Sequence, residues 1–286
     1  MDNRQGQDRG VSKHYGAFDA LDKVSCNVDK GSIVGLIGPN GAGKTTALKA
    51  VLGLTDFDGE LSVMGHDPRS GRHLVMENVC FVADVGVLPR WMKVCEALDY
   101  AEGVHPRFNR AKAEALLRET NIGTSQKVKQ LSKGMVTQLH LALVMAIEVD
   151  LLVVDEPTLG LDILYRKAFY DRLLNDYFDK ETSIIISTHQ VEEIETLVSH
   201  LLFIDGGQIV LNSAMEDLPG RYVQVLVGPE HKRRAESLLP IHSREMLGRK
   251  SMIFEDVDRV SLASLGELHV PSVADLFVAK MQRGQV

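Results

Sequence analysis

The chain has 286 residues, 44% hydrophobic and 25% charged, an ordinary composition for one large globular domain or a domain with a small appendage. A net charge of −7 argues against a nucleic-acid backbone as the main partner, and no nucleic acid is expected. Three scattered cysteines, Cys26, Cys80 and Cys95, exclude a disulfide framework and supply no C-x-x-C metal pair, so a reducing cytoplasm is the expected setting. Neither a secretory signal nor a membrane span is expected. The first ten residues are polar and charged, and the most apolar stretch, Leu139 to Val154, is broken by His140, Glu148 and Asp150, whereas a span needs about 20 apolar residues.

Tyr15 to Val28 alternates loosely and ends at Asp29-Lys30-Gly31, which predicts a short antiparallel sheet before the buried strand Ile33-Val34-Gly35-Leu36-Ile37. The next residues, Gly38-Pro39-Asn40-Gly41-Ala42-Gly43-Lys44-Thr45-Thr46, fit the phosphate-loop pattern G-x-x-x-x-G-K-[ST]. Thr45 to Leu54 reads as the helix that follows, closed by Gly53. Strand, loop and helix in register separate a nucleotide site from a ligand-free glycine turn. The glycines let successive N–H groups curl inward on a phosphate, and Lys44 supplies a compact charge for the β- and γ-phosphates. Thr45 offers a hydroxyl to Mg²⁺, and Thr46 hydrogen-bonds a phosphate from the first helical turn.

Glu60 to Val63 predicts another strand, and residues 86–147 read as a helical insertion. Its helices are Val94–Tyr100, Ala111–Glu119 with Asn109 as N-cap, and Gly134–Ile147. The last starts at Leu131-Ser132-Lys133-Gly134-Met135, where Ser132 is an N-cap and the exposed N–H groups suit an anion. In Leu151-Leu152-Val153-Val154-Asp155-Glu156, four apolar residues carry Asp155 to the end of a central strand, the place for a Mg²⁺ carboxylate. Glu156 beside it is sited to orient an attacking water. A helix at Ile163–Tyr177, a strand at Ser183–Ser187, a helix at Val191–Ser199 and a strand at Leu201–Asp205 complete an α/β alternation. Such alternation gives a parallel sheet with helices on its faces and ligands beyond the carboxyl ends of its strands. From about Asn212 the texture changes. Strands at Tyr222–Val227, Met252–Phe254 and Leu268–Val270, with a helix reaching Leu239, predict a small α+β appendage over 212–286.

The phosphate loop, the serine–glycine helix start 88 residues after Lys44, and Asp155-Glu156 together resemble the ATP-binding subunits of ABC transporters. The resemblance spans residues 11–210 and implies a P-loop ATPase core over 1–211 with an N-terminal antiparallel β subdomain. Lys13-His14-Tyr15-Gly16 is similar to the family's adenine-stacking loop, with Tyr15 the platform; a core tyrosine is the other reading. Leu159-Gly160-Leu161-Asp162 resembles the D-loop that crosses the dimer interface, and Ser187-Thr188-His189 the switch loop whose histidine contacts the γ-phosphate. The family pairs two subunits head to tail, each ATP lying between one phosphate loop and the partner's signature helix. The signature positions here are Ser132, Lys133, Gly134 and Met135. The implied chemistry is in-line attack of water on the γ-phosphate of Mg²⁺-bound ATP, with Glu156, His189 and Lys44 catalytic.

Two departures stand out. Lys133 and Met135 replace the second Gly and the Gln of the usual Leu-Ser-Gly-Gly-Gln; a Ser-Lys-Gly-Met signature looks like that of bacterial ABC-2-type exporter ATPases. Asp84, closing Val79-Cys80-Phe81-Val82-Ala83-Asp84, stands where the family has a Gln that contacts Mg²⁺; it can act as a metal ligand or cap the next segment. The tail Val270-Pro271-Ser272-Val273-Ala274-Asp275-Leu276-Phe277 is similar to a segment near the ends of such exporter subunits. The resemblance therefore implies an exporter ATPase, peripheral on the cytoplasmic face of the inner membrane, whose integral-membrane permease docks at a groove. Val87, Leu88, Trp91 and Met92 are groove candidates, or else core of the insertion. A soluble ATPase of this type acting on ribosomes or DNA is the rival; one cassette and the short spacing to the signature argue against it.

Overall fold

The structure, a computed structural model, describes residues 10–83, 88–158, 163–178, 181–246 and 248–282. Asp84, Val87 and the segment 159–162 with Asp162 lie outside the described residues. In chain order the elements are β1 Val11–Tyr15, β2 Phe18–Val24, β3 Ile33–Ile37, α1 Lys44–Val51, α2 Arg72–Glu77 and β4 Val79–Ala83. The helical insertion follows as α3 Val94–Val104, α4 Arg110–Arg118 and α5 Lys133–Met145. Then come β5 Leu151–Asp155, α6 Ile163–Arg172, β6 Ser183–Thr188, α7 Val191–Ile194, β7 His200–Asp205 and β8 Gln208–Ala214. The remainder holds α8 Leu218–Arg221, β9 Tyr222–Val227, α9 Lys232–Glu236, β10 His242–Met246, β11 Arg249–Glu255, α10 Arg259–Ala263, β12 Gly266–His269 and α11 Val273–Gln282.

The main sheet has the order β4-β5-β6-β3-β7-β8, parallel except for the β7–β8 hairpin. Every residue of β3, β5 and β6 is buried, as continuous apolar runs require when helices cover both faces of a parallel sheet. One face carries α1, with Leu48 and Ala50 packed on Leu36, Val153 and Leu202. The other carries Met145, Phe169 and Ile194 on Ile37, Leu152 and Ile186. The insertion has its own core, in which Val94, Leu98, Leu117 and Leu139 are buried together. Asn109 caps α4 as the sequence predicts, accepting from Lys112 N at 3.0 Å.

Beyond the main sheet, a four-stranded antiparallel sheet of order β10-β11-β9-β12 uses the strand period of two to serve two cores. Val223, Val225, Met252 and Phe254 face a local core with Leu262, while Tyr222 and Ile253 turn toward the main one. α11 packs there as well, and Phe277 meets Phe203 edge-on at 5.3 Å between ring centroids. β8 runs through the position expected for the boundary, 211/212, and keeps the chain in the main sheet to Ala214.

The antiparallel sheet expected over Tyr15 to Val28 is a hairpin of β1 and β2 that turns at Gly16, φ 63°. Two elements differ from the sequence reading. Glu60–Val63 is not a strand, because Gly59, Met64 and Gly65 all have positive φ and close it into a tight turn whose only bridge is Val63 with His66. The helix expected over Val191–Ser199 stops at Ile194, since Ser199 is drawn to β3: its N–H donates to Ile33 O at 2.8 Å and its hydroxyl accepts from Ile33 N at 3.0 Å.

Candidate nucleotide site

Gly38 to Gly43 leave the carboxyl end of β3 as a loop whose close backbone approaches require glycine at Gly38 and Gly43. A Cβ on Gly38 would lie 2.4 Å from Ile204 O. Gly43, at φ 110° and N-cap of α1, would place one 2.5 Å from Ala20 O. The loop is clamped from behind by the Gly206-Gly207 turn of the β7–β8 hairpin, where Gly207 N donates to Ala42 O at 3.0 Å and Gly207 O accepts from Asp22 N at 2.9 Å. Lys44, only 6% exposed, curls back over the loop and donates to Gly38 O at 2.7 Å and Pro39 O at 3.2 Å. Its ammonium also lies 3.3 Å from Glu156 Oε1.

The neighbouring strand ends supply the acids. Asp155 Oδ2 accepts from Thr45 Oγ1 at 2.9 Å, and Asp155 Oδ1 from the hydroxyl of Ser187. Glu156 takes a left-handed backbone, φ 49°, just past the end of β5. That kink turns its side chain toward Lys44 on one side and His189 on the other, whose Nδ1 lies 2.8 Å from Glu156 Oε2. The Lys44 contact lacks hydrogen-bond geometry, so Glu156 Oε1 is a buried acceptor with no donor of its own, suited to a water. Lys44, Thr45, Asp155, Glu156 and His189 therefore converge at one edge of the sheet, as their strand-end positions predict.

The donor set fits Mg²⁺: a threonine hydroxyl and a carboxylate are hard oxygens, and this ion draws its other ligands from phosphate and water. Among the described residues no three His, Cys, Asp or Glu side chains group into a protein-only metal cage. A cavity of about 580 Å³ lies beneath α1, lined by residues such as Leu36, Ala47, Val51 and Leu202. It includes none of the five converging residues, so the loop rather than this cavity is the candidate site.

Other expected residues lie apart. Ser132 caps α5, accepting from Met135 N at 3.2 Å; Ser132 and Lys133 are exposed, Gly134 is buried, and Met135 packs on the insertion core. That start belongs to the insertion core and α1 to a different one. Tyr15 is half exposed, so it is not a core tyrosine; its hydroxyl lies 3.4 Å from Thr55 Oγ1, past the C-terminal end of α1, and Lys13 Nζ sits 5.0 Å from its ring centroid. Leu88 and Met92 pack partly on the insertion core, whereas Trp91 is 68% exposed. Sequence reasoning gave Ser187 no task of its own, and it missed Glu193, which accepts from Thr158 Oγ1 at 2.7 Å and pairs with Arg166. Register with Asp155 was the signal for Ser187; no local pattern marks Glu193.

Residues 21–159 match the family model described as ABC transporter. The chain is 31% identical over 293 residues to the Nod factor export ATP-binding protein I of Burkholderia thailandensis, covering 94% of each chain. It is 30% identical over 245 residues to the zinc uptake system ATP-binding protein ZurA of Listeria innocua, covering 80% of this chain and 94% of that one. A solved ATP-binding subunit of an ABC transporter superposes with a TM-score of 0.65 at 28% identity, over 74% of this chain and 90% of the other. With a phosphate loop, a strand-end acid pair and relatives matched along nearly their whole length, the chain belongs to the ABC transporter family as an ATP-binding, ATP-hydrolysing subunit.

Proposed function

We propose that two copies of this chain close head to tail around two molecules of Mg²⁺-bound ATP and that hydrolysis drives export through a separate membrane permease. The observation that carries the reading is the convergence of Lys44, Thr45, Asp155, Glu156 and His189 on one loop mouth. Ser132 and Lys133, exposed at the start of α5 and built on another core than the phosphate loop, support a second copy as the source of the opposing contacts.

In this reading Lys44 exchanges the Gly38 and Pro39 carbonyls for β- and γ-phosphate oxygens, and the loop N–H groups cradle the same phosphates. Thr45 and Asp155 hold Mg²⁺, which neutralises phosphate charge when bound. Glu156 Oε1, paired with Lys44 before nucleotide arrives, then accepts a hydrogen bond from the attacking water. The water oxygen bonds to the γ-phosphorus, the bond to the β–γ bridging oxygen breaks, and ADP and phosphate leave. His189 holds the Glu156 carboxylate through Nδ1 and contributes to the γ-phosphate contact. Tyr15 stacks the adenine.

Among the described residues no helix is long and apolar enough to cross a membrane, and in this reading a separate permease supplies the path. Export rather than uptake rests on the Ser132-Lys133-Gly134-Met135 signature and on the exporter relative matched along 94% of both chains. The test is purification of tagged Glu156→Gln protein from its native cells in gentle detergent with ATP and Mg²⁺. A dimer carrying a stoichiometric multi-span membrane protein is expected; ribosomal proteins or DNA-repair factors in its place would overturn the transport reading.

A further inference from the structure

Ser187 occupies the centre of the site without facing solvent. It lies on β6, level with Leu36 of β3 on one side and Asp155 of β5 on the other, and it is 0% exposed. Its single hydroxyl does two things. It donates to Asp155 Oδ1, which fixes the carboxylate rotation that presents Oδ2 to Thr45. Its oxygen also accepts from Glu156 N at 3.3 Å, alongside the Ser187 carbonyl, which accepts from the same N–H at 3.1 Å. That N–H belongs to the residue held at φ 49°, a conformation that is costly for a residue with a side chain and persists where its surroundings fix it.

From this we infer that Ser187 is a positioning residue for hydrolysis: it locks the metal-side acid and the water-side acid into one mutual orientation. The inference rests on the roles proposed above for Asp155 and Glu156. Removing the hydroxyl leaves Asp155 Oδ1 without its donor in a buried place and takes one of two acceptors from the Glu156 N–H. Asp155 is then free to rotate away from Thr45, and the kink that aims Glu156 at Lys44 and His189 is held less firmly. An outer partner of a metal ligand typically contributes about 10–100-fold in metal affinity.

The test compares the wild type with Ser187→Ala, which deletes the hydroxyl, Ser187→Thr, which keeps it, and Ser187→Cys, which keeps the volume with a weak donor. Affinity for a fluorescent ATP analogue is measured in EDTA and in Mg²⁺, together with turnover, the Mg²⁺ concentration at half-maximal turnover, and thermal unfolding. For Ser187→Ala we expect an EDTA affinity within about twofold of wild type, while the gain conferred by Mg²⁺ shrinks about tenfold and the half-maximal Mg²⁺ concentration rises by a similar factor. Ser187→Thr should recover most of both, and Ser187→Cys should follow Ser187→Ala. A residue that only fills space would lower the unfolding temperature and weaken both affinities alike. A folded Ser187→Ala or Ser187→Cys with the wild-type Mg²⁺ gain overturns the inference. Should Ser187→Ala not fold, Ser187→Cys decides by the same criterion. Asp155→Asn and Glu156→Gln run beside them: if these turn over normally, the reading of the site itself has failed, whereas their impairment beside a normal Ser187→Ala removes Ser187 alone.

Discussion

Lys44 Nζ and Glu156 Oε1 lie 3.3 Å apart, with side chains 6% and 20% exposed. The cation proposed to bind phosphate and the acid proposed to position water thus neutralise each other across the loop mouth. A pair this enclosed is costly to break from one side, because the survivor keeps a charge with little water to solvate it. Lys44→Met should therefore remove ATP binding and also destabilise the nucleotide-free protein by about 3 kcal/mol. Glu156→Gln should cost less, since Lys44 keeps the Gly38 and Pro39 carbonyls. The double variant should recover at least about 1 kcal/mol relative to additivity, with no recovery of ATP binding. Urea unfolding of the four proteins checks this. Additive losses would mean that the pair does not interact.

Much of this site was legible because its chemistry sits at strand ends. Ile33–Ile37 and Leu151–Val154 are unbroken apolar runs, and a fully buried parallel strand leaves its next residue at the sheet's carboxyl edge. Asp155 and Glu156 follow from that rule, and Lys44 from the glycine loop that starts at the same edge. Distances across the chain were not legible. Ser187 lies 32 residues from Asp155 and meets it only through the parallel register of β5 and β6. Glu60–Val63 misleads as a strand because its apolar alternation is overruled by positive φ at its flanks, and the helix after Val191 is cut short by a tertiary hydrogen bond from Ser199. Both are cases of long-range contacts or turn chemistry outweighing a short local pattern.

Glycines of the loop divide by what surrounds them. Gly41 has φ 83° with open space around a built Cβ, whereas Gly43 has φ 110° and would drive a Cβ to 2.5 Å from Ala20 O and 3.1 Å from Leu21 Cδ2. Gly41→Ala should fold at a cost of about 1–2 kcal/mol of backbone strain. Gly43→Ala must also push α1 off the β2 backbone, so it should lose several times that stability together with nucleotide binding. Equal melting temperatures for the two variants would contradict the geometry.

At the joint between the second sheet and the main core, Glu255 accepts from Lys280 Nζ at 2.9 and 3.0 Å, Tyr222 Oη at 2.8 Å and Arg221 Nη2 at 2.8 Å. Burial alone would raise its pKa, but hydrogen bonds from Lys280 and Tyr222 and the charges of Lys280 and Arg221 outweigh it and hold the carboxyl below its ordinary 4.5. Burial, then the Glu255 contact, pushes the Tyr222 phenol upward. A depressed carboxylate pKa means that the unfolded chain binds more protons. The stabilisation is thus complete above about pH 4.5 and is lost as pH falls through the folded value. Glu255→Gln should be less stable than wild type at pH 7, and the gap should close as acid is added. Denaturant titrations at pH 7, 5, 4 and 3 would show it; a gap that widens in acid would mean that the sign is wrong.

Trp91 offers the sharpest test of how this subunit meets its partner. It precedes α3 at the edge of the insertion with 68% of its surface exposed, while Leu88 and Met92 on either side are partly buried against Val94 and Leu98. The groove expected at these positions is therefore divided between core and surface. A large, mostly exposed aromatic held in the turn just before α3 is the type of anchor that dominates protein interfaces. Trp91→Asp removes that anchor and adds a charge that a docking helix would have to desolvate. Away from the core it should change the stability of the isolated subunit by no more than about 0.5 kcal/mol. ATP turnover of the purified protein should stay within about twofold of wild type, as Leu88 and Met92 on either side of Trp91 pack on the insertion core and not on the core that holds α1. Co-purification with membranes should fall by about tenfold, since an interface anchor commonly contributes at least 1.4 kcal/mol. Leu88→Asp makes the control: a charge on a core-packed side chain should unfold the insertion and lower ATPase activity and membrane association together. Membrane association retained in Trp91→Asp at the wild-type level would move the docking surface off this edge of the insertion.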